Sequence, residues 1–269
     1  ERILSAASCQ SVALVVHGMA TLGYGFAGSE GGGGEAYRHA ASQAARLLTE
    51  GDARQDVSNV LWSLAMSGRL RDNEEAMRTL WEGYEEKNRG GDTSPNNVEA
   101  IQLRQVALFA KKCEGMDLIF SDEFDRIIDN SIAVDESAES MMEAQVAKDL
   151  NEFGFQGMTR EVSPFDTEDN GGQIMKIDIA FEKERVALEL DGPHHFVSIV
   201  DATGDGGRGG KNIVRRNGTT KAKTRLLEGT GWQVSRLGWM IKSKLDKVSA
   251  EERKAFWVKK LGKFGVEPL

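Results

Sequence analysis

Cysteine is scarce in this sequence, and so are long apolar runs. The two cysteines, Cys9 and Cys113, are too few and too far apart for a disulfide framework or a zinc site, so we expect a reducing or indifferent compartment. No stretch approaches the roughly 18 consecutive apolar residues that identify a membrane-spanning helix. The most apolar early segment, residues 11–20, contains His17 and Gly18, and it therefore predicts a buried helix.

The sequence also lacks an initiator methionine, since it begins at Glu1. We therefore expect a chain that is processed or that forms part of a longer protein. With 269 residues, of which 40% are hydrophobic, the chain is long enough for two compact domains with filled cores.

Positive charge is in deficit overall but is concentrated at one end. The formal net charge is −8, which by itself argues against nucleic-acid binding. Residues 1–135 and 136–207 are both acidic, whereas residues 208–269 carry 16 lysines and arginines against 5 acidic side chains. Because the local field determines whether a polyanion binds, this last segment is able to present a basic face, although a solvated basic tail would have the same composition.

The first half of the chain has the apolar periodicity of a helical array. Predicted helices span residues 3–24, 35–50, 56–67, 72–87 and a segment from a cap at Asn96 or Asn97 to Lys112. A weak internal echo aligns "VVHGMATLGY" (residues 15–24) with "VLWSLAMSGR" (residues 60–69), at an offset of 45 residues. We therefore predict an α-helical repeat-like region over residues 1–135.

The second half changes to short β-like segments between helices. An amphipathic helix at 140–153 is followed by predicted strands at 159–162, 173–181 and 185–190, the last two joined by the tight turn "EKE". A basic helix at 219–229, a strand at 232–237 and a closing helix at 241–262 complete the series. The order α-β-β-β-α-β-α predicts a small α/β domain over residues 136–269, and hence an α+β protein overall.

Three carboxylates fall on the predicted hairpin of this domain. Asp178 lies in the middle of "KIDIAF", and Glu189 and Asp191 alternate with the aliphatic residues of "VALELD". Since alternate residues of a strand share a face, the hairpin is expected to bring all three to one end of the sheet, where Glu143 from the preceding helix could join them. Such carboxylates are hard oxygen ligands suited to Mg²⁺, with Asp178 and Glu189 as the candidate metal ligands.

This order of a helical glutamate, a strand aspartate and a strand glutamate resembles the PD-(D/E)XK nuclease superfamily. Those enzymes place a lysine two residues after the glutamate, and here that position is Asp191. His194, His195 or Lys211 would have to replace the lysine if the protein is a nuclease. Alternatively, Asp191-Gly192-Pro193 forms a turn in which the aspartate bonds its own backbone.

A second resemblance covers about Ser137 to Leu261. The segments "IDIAF", "VALELDGPHHF" and "TTKAKTRLLEGTGWQVSRLGW" occur in the order of the RAP domain, a small RNA-related module of organelle proteins. RAP proteins usually carry helical repeats upstream, and "NVLWSLAMSG" is similar to pieces of those arrays. The resemblance implies a restriction-endonuclease-like fold for the C-terminal domain. It also implies a role in RNA processing, RNA stabilisation or association with an organellar ribosome.

The segment after the hairpin is basic and favours an RNA-related function independently of the resemblance. Residues 208–225 include no acidic side chain, and phosphate contacts from their cations would give an affinity that falls steeply with salt. Trp232, Trp239 and Trp257 could stack on bases, although core positions would suit them as well. The predicted nucleic-acid-binding residues are Arg208, Lys211, Arg215, Arg216, Lys221, Lys223 and Arg225.

These patterns favour a non-catalytic organellar RNA-binding protein that needs no cofactor and acts in a mitochondrial ribosome or an RNA-maturation complex. Its expected partners are RNA and other proteins of that complex, and its expected compartment is the mitochondrion, with the plastid as the alternative. A Mg²⁺-dependent endoribonuclease is the second hypothesis, with an active site of Glu143, Asp178, Glu189, Asp191 and His195. A protein–protein scaffold built on the acidic helical half is the third.

Overall fold

The computed structural model describes residues 8–25, 33–47, 54–89, 94–133, 140–165, 174–200 and 212–269. The chain forms two compact units. The first contains Glu1–Val134 and Asn217–Leu226, and the second contains Asp135–Arg216 and Leu227–Leu269. Helices make up the first unit and the second combines helices with two small sheets, which confirms the predicted α+β class. Within the described residues, no helix is long and apolar enough to cross a membrane.

Six α-helices lie in the described part of residues 8–133. They are α1 (Cys9–Leu22), α2 (Gly33–Leu47), α3 (Arg54–Ser67), α4 (Glu74–Asn88), α5 (Asn97–Phe109) and α6 (Asp122–Ser131). Helix α3 contacts both α1 and α5, and α2 contacts α4. Helix α6 was not among the predicted helices, although Phe124, Ile127 and Ile128 have the three- and four-residue spacing of an amphipathic helix and Ser121 caps its start.

Local signals set the ends of these helices. At the start of α5, Oδ1 of Asn96 accepts a hydrogen bond from the backbone N–H of Glu99 at 2.9 Å, and Oε2 of Glu99 accepts one from the backbone N–H of Asn96 at 2.8 Å. This reciprocal capping box satisfies two backbone donors and confirms the predicted cap. Helix α5 continues into a π-helical turn, Ala110–Glu114, so the predicted end at Lys112 falls inside that turn.

The two segments of the internal echo end α1 and α3 in the same way. Gly23 and Gly68 follow these helices with positive φ angles of 68° and 72°, a conformation that glycine adopts most readily. Val15 and Val60, which the echo also matches, differ in their surroundings, because Val15 is exposed and Val60 is buried. The similarity is therefore clearest at the helix ends.

Six strands form two sheets in the described part of the second unit. They are β1 (Met158–Val162), β2 (Ile177–Phe181), β3 (Val186–Asp191), β4 (Phe196–Val200), β5 (Asn212–Arg216) and β6 (Gln233–Gly238). The larger sheet has the order β1-β2-β3-β6, in which the first three strands are antiparallel and β6 runs parallel to β3. Strands β4 and β5 pair with each other as an antiparallel hairpin.

Four helices accompany these strands in the sequence. They are α7 (Met141–Glu152), α8 (Gly218–Gly229), α9 (Trp239–Leu245) and α10 (Ala250–Gly262). On one face of the larger sheet, Leu188 belongs to an apolar core that includes Trp257 of α10. On the other face, Ala187 packs with Leu227 and Trp232. Because side chains alternate along a strand, Glu189 lies on the same face as Ala187.

The predicted order of the second unit is wrong in two places. It omits β4 and β5, because no short turn joins these strands and their connection, 201–211, lies outside the described residues. The predicted closing helix at 241–262 is two helices, because Ser249 caps α10 through reciprocal hydrogen bonds with Glu252, of 3.2 and 3.0 Å. The predicted second domain, 136–269, also contains Asn217–Leu226, which groups with the first unit.

Candidate functional site

The three strand carboxylates lie at one end of β2 and β3. The antiparallel register of these strands places Asp178 opposite Glu189, so both side chains are on one face. Asp191 is two residues beyond Glu189 on β3 and shares that face. The Oδ2 atom of Asp178 accepts a hydrogen bond of 2.6 Å from the backbone N–H of Leu190. The hairpin thus collects the three acids that alternate with aliphatic residues in the sequence.

Asp191 is the centre of a buried ion-pair cluster. Its side chain is 0% exposed, and it accepts hydrogen bonds from Nε of Arg216 at 2.9 Å and from Nη2 of Arg236 at 2.8 Å. Burial acts to raise the pKa of Asp191, but the hydrogen bonds from Arg236 and Arg216 outweigh it, and the pKa is lowered. Instead of bonding the turn that follows it, this carboxylate is a charged anchor for two guanidinium groups.

Arg236 also reaches Glu189. The distance from its Nη2 to Oε2 of Glu189 is 3.6 Å, and the side chains are 7% and 2% exposed. Arg236 lies on β6, where it is the parallel partner of Glu189. Arg236 is not among the predicted site residues, although the sequence contains a signal for it. A single cation inside an otherwise uncharged strand segment, "WQVSRL", needs a counter-charge if the strand is buried.

Glu143 approaches Asp178 from helix α7. Its side chain is buried, and Oε1 accepts a hydrogen bond of 3.1 Å from Nε of Arg160 on β1. Burial raises the pKa of Glu143, Arg160 offsets part of this rise, and the negative charge of Asp178 adds to it. The predicted helical glutamate is therefore close enough to Asp178 to respond to its charge, while its hydrogen bond goes to Arg160.

His194 and His195 lie in one short 3-10 turn, Pro193–His195, with 4.3 Å between their ring centroids. Nδ1 of His195 is 3.8 Å from Oδ1 of Asp191, which is too long for a hydrogen bond. Burial, followed by the charge of His194, lowers the pKa of His195, although Asp191 acts in the opposite direction. This lowered pKa favours the neutral form of His195, whose ring flanks the ion pairs of Asp191.

Four of the predicted nucleic-acid-binding residues belong to the β4–β5 region of the second unit. Arg215 and Arg216 are neighbours on β5, and the side chain of Arg216 is 42% exposed while it bonds Asp191. Arg208 and Lys211 lie outside the described residues. The structure thus shows one cation of this group, Arg216, that both anchors in the cluster and extends to the surface.

The remaining three predicted cations, Lys221, Lys223 and Arg225, belong to the part of α8 that groups with the first unit. The guanidinium of Arg225 donates to the backbone carbonyls of Ala65 and Met66, the latter at 3.3 Å, at the end of α3. It also lies 5.1 Å from the ring centroid of Phe109. Because carbonyls in the last turn of a helix lack the usual amide partner four residues ahead, Arg225 has a structural role in the first unit.

The three tryptophans that could stack on bases differ in burial. Trp232 and Trp257 are buried and belong to the two cores, which agrees with the core alternative. Trp239 is 41% exposed, and it follows Gly238, the parallel partner of Asp191. Of these three side chains, Trp239 is therefore the one with a surface for stacking.

The charges around Glu189 and Asp191 fit a divalent metal poorly. Arg236 is 3.6 Å from Glu189 and 2.8 Å from Asp191, so a Mg²⁺ ion at these oxygens would have to compete with a guanidinium group already bound there. The remaining candidate ligand, Asp178, accepts a backbone N–H. Among the residues that the structure describes, no group of three His, Cys, Asp or Glu side chains is arranged to hold a metal ion.

Comparisons with known proteins assign no family to this chain. No protein-family model matches the sequence, and no curated protein is significantly similar to it.

Proposed function

We propose that this protein is a non-catalytic RNA-binding protein of an organelle, with the mitochondrion as the expected compartment, and that it acts in a ribosome or an RNA-maturation complex. The observation that carries the proposal is the buried contact of Asp191 with Arg216 and Arg236. Arg236 also lies 3.6 Å from Glu189, a candidate metal ligand, so guanidinium charge already stands beside the place where a nuclease would hold its metal. The cluster therefore joins β3, β5 and β6 and needs no cofactor.

The order of the elements from α7 to β6 supports a RAP domain with a nuclease-like fold. Helix α7, three antiparallel strands, helix α8 and the parallel strand β6 follow one another, with the β4–β5 hairpin inserted after β3. Glu143, Asp178 and Glu189 occur on a helix and two adjacent strands, in the order that the nuclease resemblance implies. A fold of this kind can lose its chemistry and still serve as a platform for RNA.

The stacking of α1, α3 and α5 supports a repeat-like first unit. The ring of His17 stacks on Trp62 with 4.8 Å between centroids, and Nε1 of Trp62 donates a hydrogen bond of 2.7 Å to Oε1 of Gln105. Trp62 and Gln105 are 43 residues apart, close to the offset of the internal echo. Contacts between alternate helices at a nearly constant offset are what stacked helical hairpins produce.

We assign the phosphate contacts to β5 and the basic connection that precedes it. Arg216 is held by Asp191 while part of its side chain is exposed. A guanidinium that is already ordered loses less conformational freedom when it binds a phosphate. Arg208, Lys211 and Arg215 belong to the same basic segment and would add affinity that does not depend on base sequence.

Filter binding of single-stranded and structured RNA at two salt concentrations tests this assignment. The variant Arg208→Gln/Lys211→Gln/Arg215→Gln removes three charges but spares Arg216, which the sheet requires. We expect the wild type to bind RNA and the variant to bind more weakly. On single strands, the slope of log affinity against log salt should fall by about 0.7 for each phosphate that the variant no longer neutralises.

A matched control neutralises three exposed lysines of α9 and α10, in Lys244→Gln/Lys254→Gln/Lys259→Gln. This variant has the same net charge as the first and should bind RNA like the wild type. An equal loss of affinity in both variants would show that overall charge, not the basic segment, governs binding. If the wild type has no RNA affinity even at low salt, the scaffold hypothesis replaces the proposal.

The endoribonuclease alternative is favoured by Asp178 and Glu189, which lie opposite each other on β2 and β3. Incubating the same RNAs with and without Mg²⁺ tests this alternative. We expect no cleavage, and we expect Glu189→Gln to keep its RNA affinity because the cations that bind phosphate lie elsewhere. Mg²⁺-dependent cleavage that disappears in Asp178→Asn would make the protein a nuclease and refute the non-catalytic proposal.

A further inference from the structure

Lys260 on helix α10 is a half-buried cation that is linked to the ion pairs of Asp191. Its Nζ donates a hydrogen bond of 2.8 Å to the backbone carbonyl of Arg236. The side chain of Arg236 donates to Asp191 at 2.8 Å, and Nε of Arg216 donates to the same carboxylate at 2.9 Å. These hydrogen bonds connect α10 to β5 through β6 and β3, with a cation, Lys260 or Arg216, at each end of the chain of contacts.

The positive charge of Lys260 is not balanced by the group that it bonds. A backbone carbonyl is neutral, whereas a lysine that leaves the solvent is usually paired with a carboxylate. Asp191 attracts Lys260, but it already bonds two guanidinium groups. Burial, followed by repulsion from Lys263 and Arg216, therefore lowers the pKa of Lys260 despite Asp191. An anion that contacts both Lys260 and Arg216 would relieve this repulsion.

Both of these cations can reach an anion from solvent. The side chain of Arg216 is 42% exposed although its Nε is bonded, and Lys260 is only half-buried. A guanidinium group has five N–H donors and an ammonium group has three, and the hydrogen bonds described above use one donor of each group. The other donors suit a phosphate group, whose oxygens accept several charge-assisted hydrogen bonds at once.

We propose that Arg216 and Lys260 together hold one phosphate group of the RNA backbone. The occupant of this site rests on the proposed RNA binding, and the site adds a contact on α10 that lies outside the basic segment 208–225. Asp191 and the carbonyl of Arg236 already order the two cations, so each loses less conformational freedom when the phosphate binds. Lys263, which is exposed just after α10, adds to the local attraction for a polyanion.

Titration of the isotope-labelled full chain with inorganic phosphate tests the site without RNA. The Nε–Hε signal of Arg216 and the Cε signal of Lys260 are followed by NMR, with chloride at the same ionic strength as the reference. Phosphate should shift both signals along one saturation curve and chloride should shift neither, because only phosphate offers oxygens to both groups. The Cε signal of Lys259, which is exposed on the same helix, should stay in place.

Lys260→Gln and its matched control, Lys259→Gln, test the site with RNA. Each variant removes one positive charge from α10, at adjacent positions. Lys260→Gln should weaken the binding of single-stranded RNA by at least about threefold and lower the slope of log affinity against log salt by about 0.7. Lys259→Gln should stay within about twofold of the wild type, and Lys260→Arg should recover most of the affinity because it keeps the charge. Equal affinities of Lys260→Gln and Lys259→Gln would overturn the proposal.

The two experiments separate a failure of this site from a failure of the proposed function. If phosphate leaves the signals of Arg216 and Lys260 unchanged in a protein that binds RNA, the site is overturned and the proposed function stands. If phosphate shifts both signals but the wild type has no RNA affinity at low salt, RNA is overturned as the occupant, together with the proposed function. If Lys260→Gln fails to fold, the phosphate titration of the wild type decides.

Discussion

Arg236 and Asp191 are 45 residues apart in the sequence and form a two-pronged contact, with 2.8 Å from Nη2 to Oδ1 and 3.1 Å from Nε to Oδ2. The parallel register of β3 and β6, which pairs Glu189 with Arg236, brings them together. A planar guanidinium matches a carboxylate in this geometry better than an ammonium group does. The position where the nuclease resemblance calls for a lysine is therefore the one that holds an arginine in place.

Replacing Asp191 should destabilise the folded protein. Asp191→Ala removes the buried carboxylate that bonds both Arg216 and Arg236, and we expect the free energy of unfolding to fall by about 3 kcal/mol. Urea unfolding followed by tryptophan fluorescence measures the change. The control is Glu152→Ala, which breaks an exposed pair with Lys148 at 3.8 Å and should cost less than about 0.5 kcal/mol. Similar losses of stability in both variants would show that the buried cluster does not stabilise the sheet.

Glu143 should make stability depend on pH in a predictable direction. Burial raises the pKa of Glu143 in the folded state above the value near 4.5 of the unfolded chain. A raised carboxyl pKa means that the folded state holds the proton longer, so stability is lost as pH rises from about 4.5 through the folded pKa. In Glu143→Gln this loss is absent. The difference in unfolding free energy, variant minus wild type, should therefore increase between pH 4 and pH 7.5.

Glu152→Gln, an exposed change on the same helix, is the control for this pH series. Its stability curve should run parallel to that of the wild type. A difference for Glu143→Gln that is constant with pH would mean that burial does not perturb this carboxyl group.

Arg225 should stabilise the first unit. Arg225→Ala removes the charged donor for the carbonyls of Ala65 and Met66, and we expect the free energy of unfolding to fall by about 2 kcal/mol. Arg225→Lys should recover less than half of the lost unfolding free energy, because an ammonium group lacks the planar fork that reaches two carbonyls. Glu228→Ala, an exposed change on the same helix, should stay within about 0.5 kcal/mol of the wild type. If Arg225→Ala leaves the free energy of unfolding unchanged, Arg225 has no structural role and its guanidinium group is available to RNA.

Gly218 should tolerate no side chain. A Cβ atom at this position would lie 1.6 Å from the carbonyl oxygen of Ala20, a backbone atom that cannot rotate away. We expect Gly218→Ala to lower the unfolding free energy by about 3 kcal/mol or more, seen as a lower Tm by circular dichroism. Gly262→Ala is the control, since nothing lies within 4 Å of its Cβ, and it should leave stability equal or raise it by about 0.5 kcal/mol. An unchanged Tm for Gly218→Ala would refute the close approach.

Features that depend on neighbouring residues could be predicted from the sequence. The cap at Asn96 needs a partner three residues away, and the turn between β2 and β3 needs four residues. The alternation in "VALELD" likewise places Glu189 and Asp191 on one face, because the strand period is two. These signals predicted where the carboxylates would collect.

Features that depend on distant pairing could not be predicted in the same way. The partners of Asp191 are 25 and 45 residues away, on strands whose register no short turn determines. Arg225 was predicted to bind nucleic acid from its place in a basic segment, but its guanidinium bonds carbonyls 159 and 160 residues earlier. A cluster of cations in a sequence is consistent with nucleic-acid binding and with bonds to backbone carbonyls. Only the tertiary structure distinguishes the two.

The grouping of Asn217–Leu226 with the first unit has a consequence for synthesis of the chain. A nascent chain that has reached Val134 carries α1 to α6 but neither Gly218 nor Arg225. Domains often fold one after another as they leave the ribosome, starting from the N-terminus. Here the earlier unit must wait for a segment made after β5, so its last helix contacts form only when most of the later unit has already been translated.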